Sequence, residues 1–142
     1  MHTKGATTML KVHHHMSRLT HSLTAGLSLA EALDRLHHSG LSGLPVLDDE
    51  KQLVGFLSEQ DCIPSLLTGS YHCDTRTRVE DMMNRAPLSV GPDESILELA
   101  RQMTGAKPKI YPVLQQGKVI GIISRRQVMQ ALNQQLKVCQ QT

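Results

Sequence analysis

Two short segments of this sequence place a second polar side chain three residues after a serine. Ser58 and Asp61 follow the largely apolar run 53–57, and Ser124 and Gln127 follow a similar run. A helix that begins at such a serine presents unpaired amide N–H groups and a partial positive charge, which favour phosphate. The serine hydroxyl can bond a phosphate or a sugar, and an aspartate one turn later can accept from both ribose hydroxyls. The first segment therefore carries groups that can contact a phosphate or a sugar hydroxyl.

The same residues also have a purely structural interpretation. Ser58 can act as the N-cap of a helix, and Asp61 can be a first-turn acid that matches the helix dipole. In the second segment Gln127 is neutral and a weaker acceptor for ribose. Arg125 and Arg126 open that helix, where they either reach a phosphate or are simply solvated. Both interpretations stay open from the residues alone, and the two segments are not equivalent.

Histidines offer the clearest alternative chemistry. His13–His15 are consecutive, so they cannot all face one ion, and no acidic or cysteine partner lies at a zinc-ligand spacing. The pair His37 and His38 falls at the end of a predicted helix, where a cationic histidine is favourable. We therefore expect surface histidines and no metal site.

The cysteines do not indicate catalysis. Cys62 lies among apolar helical residues, and Cys73 is next to His72 in a turn-like stretch. A Cys–His pair needs a third orienting group, and no residue marks one. The methionines, including Met129, fall at helical positions typical of core filler. We predict that the chain is not an enzyme.

The elements that carry both serine segments occur twice. Each copy has a short leading segment, a strand, a helix, two apolar strands joined by a polar turn, and a last helix. In the first helices, Leu29, Ala32, Leu33 and Leu36 match Ile96, Leu99, Ala100 and Met103. Both sets follow the i, i+3, i+4, i+7 spacing of a helix with one apolar face. The repeat predicts two similar α/β units.

Composition excludes several classes of protein. The 142 residues carry a net charge of +2 and contain no Trp, one Phe and two Tyr. There is no aromatic platform for single-stranded nucleic acid and no massed basic run for a duplex, so we expect no nucleic-acid partner. No apolar run approaches the roughly 20 residues that span a bilayer, so we expect no membrane partner. The three cysteines are odd in number and form no CxxC pair, which indicates reduced thiols and a cytoplasmic location.

Two complete sets of motifs, in register, give the sequence its family resemblance. The first set is Val12 and Met16, Ser22-Leu23-Thr24, Ala32-Leu33, Leu44-Pro45-Val46, and 55–61. The second is 79–83, 88–93, Tyr111-Pro112-Val113, and Gly121-Ile122-Ile123-Ser124. Together they resemble a tandem pair of CBS motifs, often called a Bateman module, over residues from about 9 to 136.

The resemblance implies an α/β fold of tandem βαββα repeats. These are expected to pack as a pseudo-two-fold pair, with small mixed three-stranded sheets flanked by helices. The expected boundaries are a flexible N-terminus at 1–8, motif 1 at 9–67, a linker at 68–78, motif 2 at 79–136 and a flexible C-terminus at 137–142. We further expect a homodimer through helices 28–39, 59–68 and 124–136, because their apolar residues outnumber what one small sheet covers.

The resemblance also implies ligand sites. Family members bind AMP, ADP, ATP or S-adenosylmethionine between motifs, combining the Ser-x-x-Asp of one copy with segments of the other. The main cleft would comprise Ser58, Asp61, Leu88, Ser89, Lys109, Ile110 and Tyr111. A second, degenerate cleft would comprise Ser22, Thr24, Gly43, Leu44, Ser124, Arg126 and Gln127. No cofactor is expected to be required.

Two functions follow from these expectations. In the first, the chain is a stand-alone regulatory module that senses an adenosine-type ligand and signals to an effector protein in trans. In the second, it is a structural interaction module whose clefts are empty.

Overall fold

The computed structural model describes residues 10–72 and 75–140. The predicted flexible N-terminus at 1–8 and Cys73 therefore lie outside the described residues. A 3-10 turn, Val12–His14, opens the described chain. The strands are β1 (Ser17–Arg18), β2 (Gly43–Leu47), β3 (Leu53–Ser58), β4 (Ile110–Gln115) and β5 (Lys118–Ser124). The helices are α1 (Leu29–Ser39), α2 (Glu59–His72), α3 (Val79–Met82), α4 (Ile96–Gln102) and α5 (Arg125–Gln140).

The chain forms two compact units. Over the described residues, unit I comprises 10–18, 88–116 and 120–140, and unit II comprises 19–72, 75–87 and 117–119. Each unit therefore takes its leading segment from the other sequence repeat: Val12 is buried in the core of unit I, and Val79 in that of unit II. The predicted boundaries 9–67 and 79–136 follow the sequence repeats. In the structure, the leading segment of each repeat packs instead in the core formed by the other repeat.

Unit II is built on the antiparallel hairpin of β2 and β3, in which Gly43 pairs with Ser58. Leu23 forms a parallel bridge to Val46, and this single bridge is what the structure has in place of the predicted first strand. Helix α1 begins at a capping box in which the Ser28 side chain accepts from the Glu31 N–H, and it ends at Gly40 with φ of 71°. The core comprises Leu23, Ala32, Leu36, Leu44, Val46, Leu57, Cys62 and Val79.

Unit I repeats this plan with a three-stranded sheet in the order β1-β5-β4. Val90 makes the parallel bridge to Val113 that corresponds to the bridge at Leu23. Ser95 caps α4 by accepting from the N–H groups of Leu97 and Glu98. The core comprises Val12, Val90, Ile96, Leu99, Met103, Tyr111, Val113, Ile123, Val128 and Ala131. The strand and helix order expected from the repeat is confirmed in both units.

Three details differ from the sequence expectations. Helix α2 continues to His72, into the predicted linker at 68–78, because Gly and Ser weaken a helix without ending it. Helix α5 continues to Gln140, since Gln and Lys are good helix formers. Met129, read from the sequence as core, is 64% exposed. Within the described residues, no helix is long and apolar enough to cross a membrane.

Candidate functional site

The first candidate site lies where β3 passes into α2. The hairpin register sets Ser58 opposite Gly43, so the end of one strand meets the beginning of the other. The Glu59 N–H donates to the Ser42 carbonyl oxygen at 2.8 Å, which satisfies one of the otherwise unpaired amides of the helix start. The site is therefore anchored by strand pairing and by the segment that precedes Pro45.

Ser58 and Asp61 form a reciprocal capping box. The Ser58 N–H donates to Asp61 Oδ2 at 3.0 Å, and the Asp61 N–H donates to Ser58 Oγ at 3.2 Å. This is the structural role that the sequence left open, and it uses only one carboxylate oxygen. Among the described residues none donates to Asp61 Oδ1, and both side chains are half-buried. A carboxylate oxygen and a serine hydroxyl hydrogen are thus left for a ligand.

The corresponding site at the start of α5 is chemically different. The Ser124 N–H donates to Gln127 Oε1 at 2.8 Å, and the Gln127 N–H donates to Ser124 Oγ at 3.4 Å. Gln127 Nε2 also donates to the Ser17 hydroxyl of β1. Both polar atoms of the Gln127 amide are therefore engaged within unit I. The substitution of Gln for Asp leaves this position without the unpaired acceptor that Asp61 keeps.

The two helix starts also carry opposite charge. The first turn of α2 contains Glu59 and Asp61, whereas that of α5 contains no acid and begins with Arg125 and Arg126. The Arg125 N–H donates to the Lys109 carbonyl oxygen at 2.8 Å, which brings the basic loop before β4 next to this helix. The start of α5 therefore suits an anionic group better than a ribose.

Glycines explain how the leading segments reach these strands. A Cβ on Gly55 would lie 2.5 Å from Met83 Sδ, and a Cβ on Gly121 would lie 2.6 Å from the Ser17 carbonyl oxygen. Both distances are too short for any real side chain. Gly55 and Gly121 occupy the same place in the two repeats, so each leaves room for the leading segment packed in its own unit.

The predicted site residues divide between the two units. Ser22, Thr24, Gly43, Leu44, Ser58 and Asp61 belong to unit II, and Leu88, Ser89, Lys109, Ile110, Tyr111, Ser124, Arg126 and Gln127 belong to unit I. Within each unit the segment before the Pro-Val strand contacts the serine helix of the same copy. The predicted clefts combine residues of different units, and that pairing stays a prediction.

Burial limits what some of these residues can offer. Leu44, Ile110 and Tyr111 are buried, and Leu44 and Tyr111 belong to the cores of their units. Burial raises the pKa of Tyr111, and in the described part of the chain its hydroxyl has no hydrogen-bond partner. These side chains stabilise the sheets, whereas Leu88, Ser89 and Lys109 are exposed.

Unit II also has an open cleft of about 400 Å³ that the sequence did not indicate. It lies at the Leu47 end of β2, away from the Gly43–Ser58 pair. Thr24 is the predicted site residue that lines it, and Arg85 donates to the Glu80 carbonyl oxygen at its wall. Its lining comprises Thr24, Ala25, Gly26, Leu47, Asp48, Asp49, Val54, Glu80, Met83 and Arg85. No sequence motif joins these residues, so sequence reasoning had no signal for them.

The alternative chemistries find little support in the geometry. Desolvation, with smaller contributions from Asp61 and Glu59, raises the pKa of the buried Cys62 thiol to about 11, which disfavours a nucleophilic thiolate. His13 Nδ1 donates to the Pro92 carbonyl oxygen at 3.0 Å. Within residues 10–72 and 75–140, no group of three or more His, Cys, Asp or Glu side chains could hold a metal ion.

Comparison with known proteins identifies the family. The model of the CBS domain matches residues 8–67 and 79–134. The chain belongs to the CBS domain family. CBSX2 from Arabidopsis thaliana, whose crystal structure was solved in complex with AMP, shares 30% sequence identity with this chain. The two structures superpose with a TM-score of 0.75, and the match covers 87% of this chain and 96% of CBSX2. A CBS domain-containing protein from Bacillus anthracis has a TM-score of 0.82 at 22% identity, over 92% and 98% of the two chains, and supports the fold alone.

Relatives also include parts of larger proteins. The A-adding tRNA nucleotidyltransferase of Aquifex aeolicus is 28% identical over 128 residues, which cover 90% of this chain. The chain spans 15% of that enzyme and 36% of an uncharacterized Methanocaldococcus jannaschii protein. A region similar to this chain therefore also occurs inside an enzyme. The tandem CBS pair is the part that this chain shares with them.

Proposed function

We propose that this CBS pair is a non-catalytic regulatory module that senses an adenosine-type ligand. AMP is the first candidate, with ADP, ATP and S-adenosylmethionine as alternatives. One observation carries the proposal: the unpaired Oδ1 of Asp61, beside the Ser58 hydroxyl at the start of α2. The AMP complex of CBSX2, which is 30% identical, supports a nucleotide as the ligand.

In the proposed main cleft, Asp61 Oδ1 accepts from the ribose hydroxyls while Oδ2 keeps its bond to the Ser58 N–H. Ser58 donates its hydroxyl hydrogen to the ligand. Lys109, Leu88 and Ser89 are exposed and supply contacts to the phosphate and the base. Ile110 and Tyr111 are buried and act by supporting the strand that carries these contacts.

The second cleft is proposed to have lost ribose binding. Both polar atoms of the Gln127 amide are already hydrogen-bonded: Oε1 accepts from the Ser124 N–H, and Nε2 donates to the Ser17 hydroxyl. Arg126 and its neighbour Arg125 can still attract a phosphate group. Ser22, Thr24, Gly43 and Leu44 would complete this cleft. No cofactor is required, since the nucleotide acts as a regulatory ligand.

Regulation follows from linkage. A ligand shifts an equilibrium only by its differential affinity for the two states, and a partner that reads the same states is coupled to the ligand reciprocally. We propose that the partner is an effector protein and that the module works as a homodimer. The buried Cys62 carries a free thiol, which suits a cytoplasmic location.

One observation favours a second function. Both serine boxes are satisfied internally and need no ligand to hold their helices. A structural interaction module with empty clefts would show the same bonds. The unpaired Asp61 Oδ1 is what favours ligand sensing over this alternative.

Calorimetric titration distinguishes the two functions. We expect wild-type protein to bind AMP, ATP or S-adenosylmethionine, and Asp61→Ala to bind more weakly. If none of these ligands binds at millimolar concentration, the interaction-module function replaces the sensing function. If a ligand binds and Asp61→Ala leaves its affinity unchanged, ligand sensing stands and the cleft assignment is wrong.

A further inference from the structure

The open cleft of unit II has the size and the lining of a small-molecule site. Its volume of about 400 Å³ lies within the roughly 300–1,000 Å³ that is typical of such sites. Its apolar wall comprises Ala25, Leu47, Val54 and Met83, of which Leu47 is buried and the others are half-buried. All of its lining residues belong to unit II, and it lies away from the Ser58 end of the β2–β3 hairpin. The cleft is therefore distinct from the proposed main cleft.

Charged groups of both signs surround this apolar wall. Asp48, Asp49 and Glu80 carry carboxylates, and Arg85 carries a positive charge. Arg85 donates to the Glu80 carbonyl oxygen at 2.9 Å, which holds the guanidinium at the wall and leaves its other N–H donors for a ligand. Asp48 Oδ1 accepts from two N–H groups of the turn that follows, both at 2.9 Å, which fixes this carboxylate. Within the described residues, the carboxylates of Asp49 and Glu80 are in no ion pair.

The other repeat shows that these acids are not needed to build the fold. At the place of Glu80, unit I has His13, whose Nδ1 donates to the Pro92 carbonyl oxygen at 3.0 Å. At the places of the two aspartates, unit I has Gln115 and Gln116. Both units nevertheless share the same order of strands and helices. Because the shared plan forms in unit I without these acids, it does not require them in unit II.

We propose that this cleft binds a free basic amino acid such as lysine. The α-carboxylate of the ligand bonds the Arg85 guanidinium, whose planar fork matches a carboxylate. The two ammonium groups of the ligand donate to the carboxylates of Asp49 and Glu80. The methylene groups between them pack against the apolar wall, as lysine side chains do on protein surfaces. The site shares no residue with the main cleft around Asp61, so the proposal is independent of nucleotide sensing.

Other ligand classes match the lining less well. Three carboxylates and one guanidinium give the lining a net charge of −2, which favours a cationic ligand over an anionic one. Within the described residues, no group of three His, Cys, Asp or Glu side chains could hold a metal ion. A simple diamine would match the carboxylates but would leave Arg85 facing a cation. A basic amino acid places an opposite charge against both kinds of group.

NMR titration of the full chain with lysine locates the site. We expect saturable shifts of the amide signals of Gly26, Leu47 and Asp49. The Kd should be on the order of 1 mM, because the charged groups of the cleft are exposed to solvent. No saturable shift at about 20 mM lysine and constant ionic strength would overturn the proposal. Saturable shifts at Ser58 and Asp61 in place of the cleft would also overturn it.

Two analogues of lysine test which of its charges are recognised. Cadaverine lacks the carboxylate, and norleucine lacks the side-chain ammonium group. Each should bind about two- to fivefold more weakly than lysine, because each loses one pair of opposite charges at an exposed site. Cadaverine that binds as tightly as lysine would replace the amino acid with a diamine and overturn the proposal. Norleucine that binds as tightly would show that the basic side chain is not recognised, which would also overturn it.

Substitutions in the lining connect the charges of the ligand to those of the protein. Arg85→Gln should weaken lysine binding about two- to fivefold without weakening cadaverine binding, whereas Glu80→Gln should weaken both. Glu50→Gln is the matched control, because it removes the same charge from the turn beside the cleft but lies outside the lining. It should have the smaller effect. Equal effects of Glu50→Gln and Glu80→Gln would show that only the general charge of unit II attracts lysine, and would contradict the site.

Gly26 allows the cleft to be filled. A Cβ at Gly26 would meet nothing within 4 Å, so Gly26→Leu adds an apolar side chain to the lining without a clash at Cβ. It should abolish the shifts that lysine causes at Leu47 and Asp49, and unchanged shifts would contradict the cleft. Thermal melting checks that the variant folds, and Arg85→Gln decides the question if it does not. Asp61→Ala should leave the Kd for lysine within about twofold of wild type, so a failure of this proposal and a failure of nucleotide sensing are distinguishable.

Discussion

Substitutions of Asp61 can distinguish a role in ligand binding from a role in capping helix α2. Its Oδ2 accepts from the Ser58 N–H at 3.0 Å, while its Oδ1 has no partner in the part of the chain that the structure describes. Asp61→Asn keeps an oxygen for the capping bond and removes the charge. Asp61→Ala removes both. The two substitutions therefore separate loss of a ligand contact from loss of a cap.

The expected magnitudes follow from these contacts. A hydrogen bond to a charged group contributes about 1.5–3 kcal/mol. Its loss in Asp61→Asn should weaken AMP binding roughly 10- to 150-fold. Folding stability should change little, because the cap is kept. Asp61→Ala should lose similar affinity and, in addition, about 0.5–1.5 kcal/mol of folding stability, because it removes the hydrogen bond that Oδ2 accepts from the Ser58 N–H.

Calorimetry with AMP and thermal melting without ligand measure the two quantities. Gln127→Ala is the matched control, because it removes the equivalent capping residue from α5. We expect it to lower stability by a similar amount and to leave AMP affinity within about twofold of wild type. Wild-type affinity in Asp61→Asn would refute the role of the free carboxylate oxygen. Equal losses of affinity in Asp61→Asn and Gln127→Ala would refute the distinction between the two helix starts.

Three further predictions concern packing and buried groups. Gly121→Ala should destabilise unit I by about 1–3 kcal/mol in denaturant unfolding, because its Cβ would meet a backbone oxygen at 2.6 Å, whereas Gly26→Ala, with nothing within 4 Å, should be tolerated. Cys62 should resist alkylation at pH 8 while exposed Cys139 reacts, because burial raises the pKa of Cys62 to about 11, and equal rates would contradict this. Tyr111→Phe should leave the melting temperature unchanged or raise it, since the buried hydroxyl has no partner among the described residues, and a marked loss of stability would show that it has one.

Most of the local architecture could be read from the sequence. Apolar spacing in α1 and α4, serine caps at Ser28 and Ser95, and apolar strands around polar turns each depend on residues close together in the chain. Local physics of this kind repeats wherever the sequence repeats. The serine at each last helix start could be placed for the same reason, and so could the difference between Asp61 and Gln127.

Contacts between distant segments could not be read in the same way. The sequence matched Val12 with Val79 but did not indicate that each packs in the core of the other repeat. It placed Met129 in the core because helical spacing does not say which side of a helix is covered. It also left open whether Ser58 and Asp61 serve the helix or a ligand. The capping distances show that one carboxylate oxygen serves the helix and one is left unpaired.

The sequence by itself determined the family, the duplicated α/β plan and the loss of the aspartate in the second copy. Each of these depends on residue types and spacing within short stretches of the chain. The tertiary structure decided which leading segment joins which core. It also decided that Gln127 is held by Ser17, which is distant in the chain. Such long-range contacts form only when the chain folds, so residue types and spacing do not specify them.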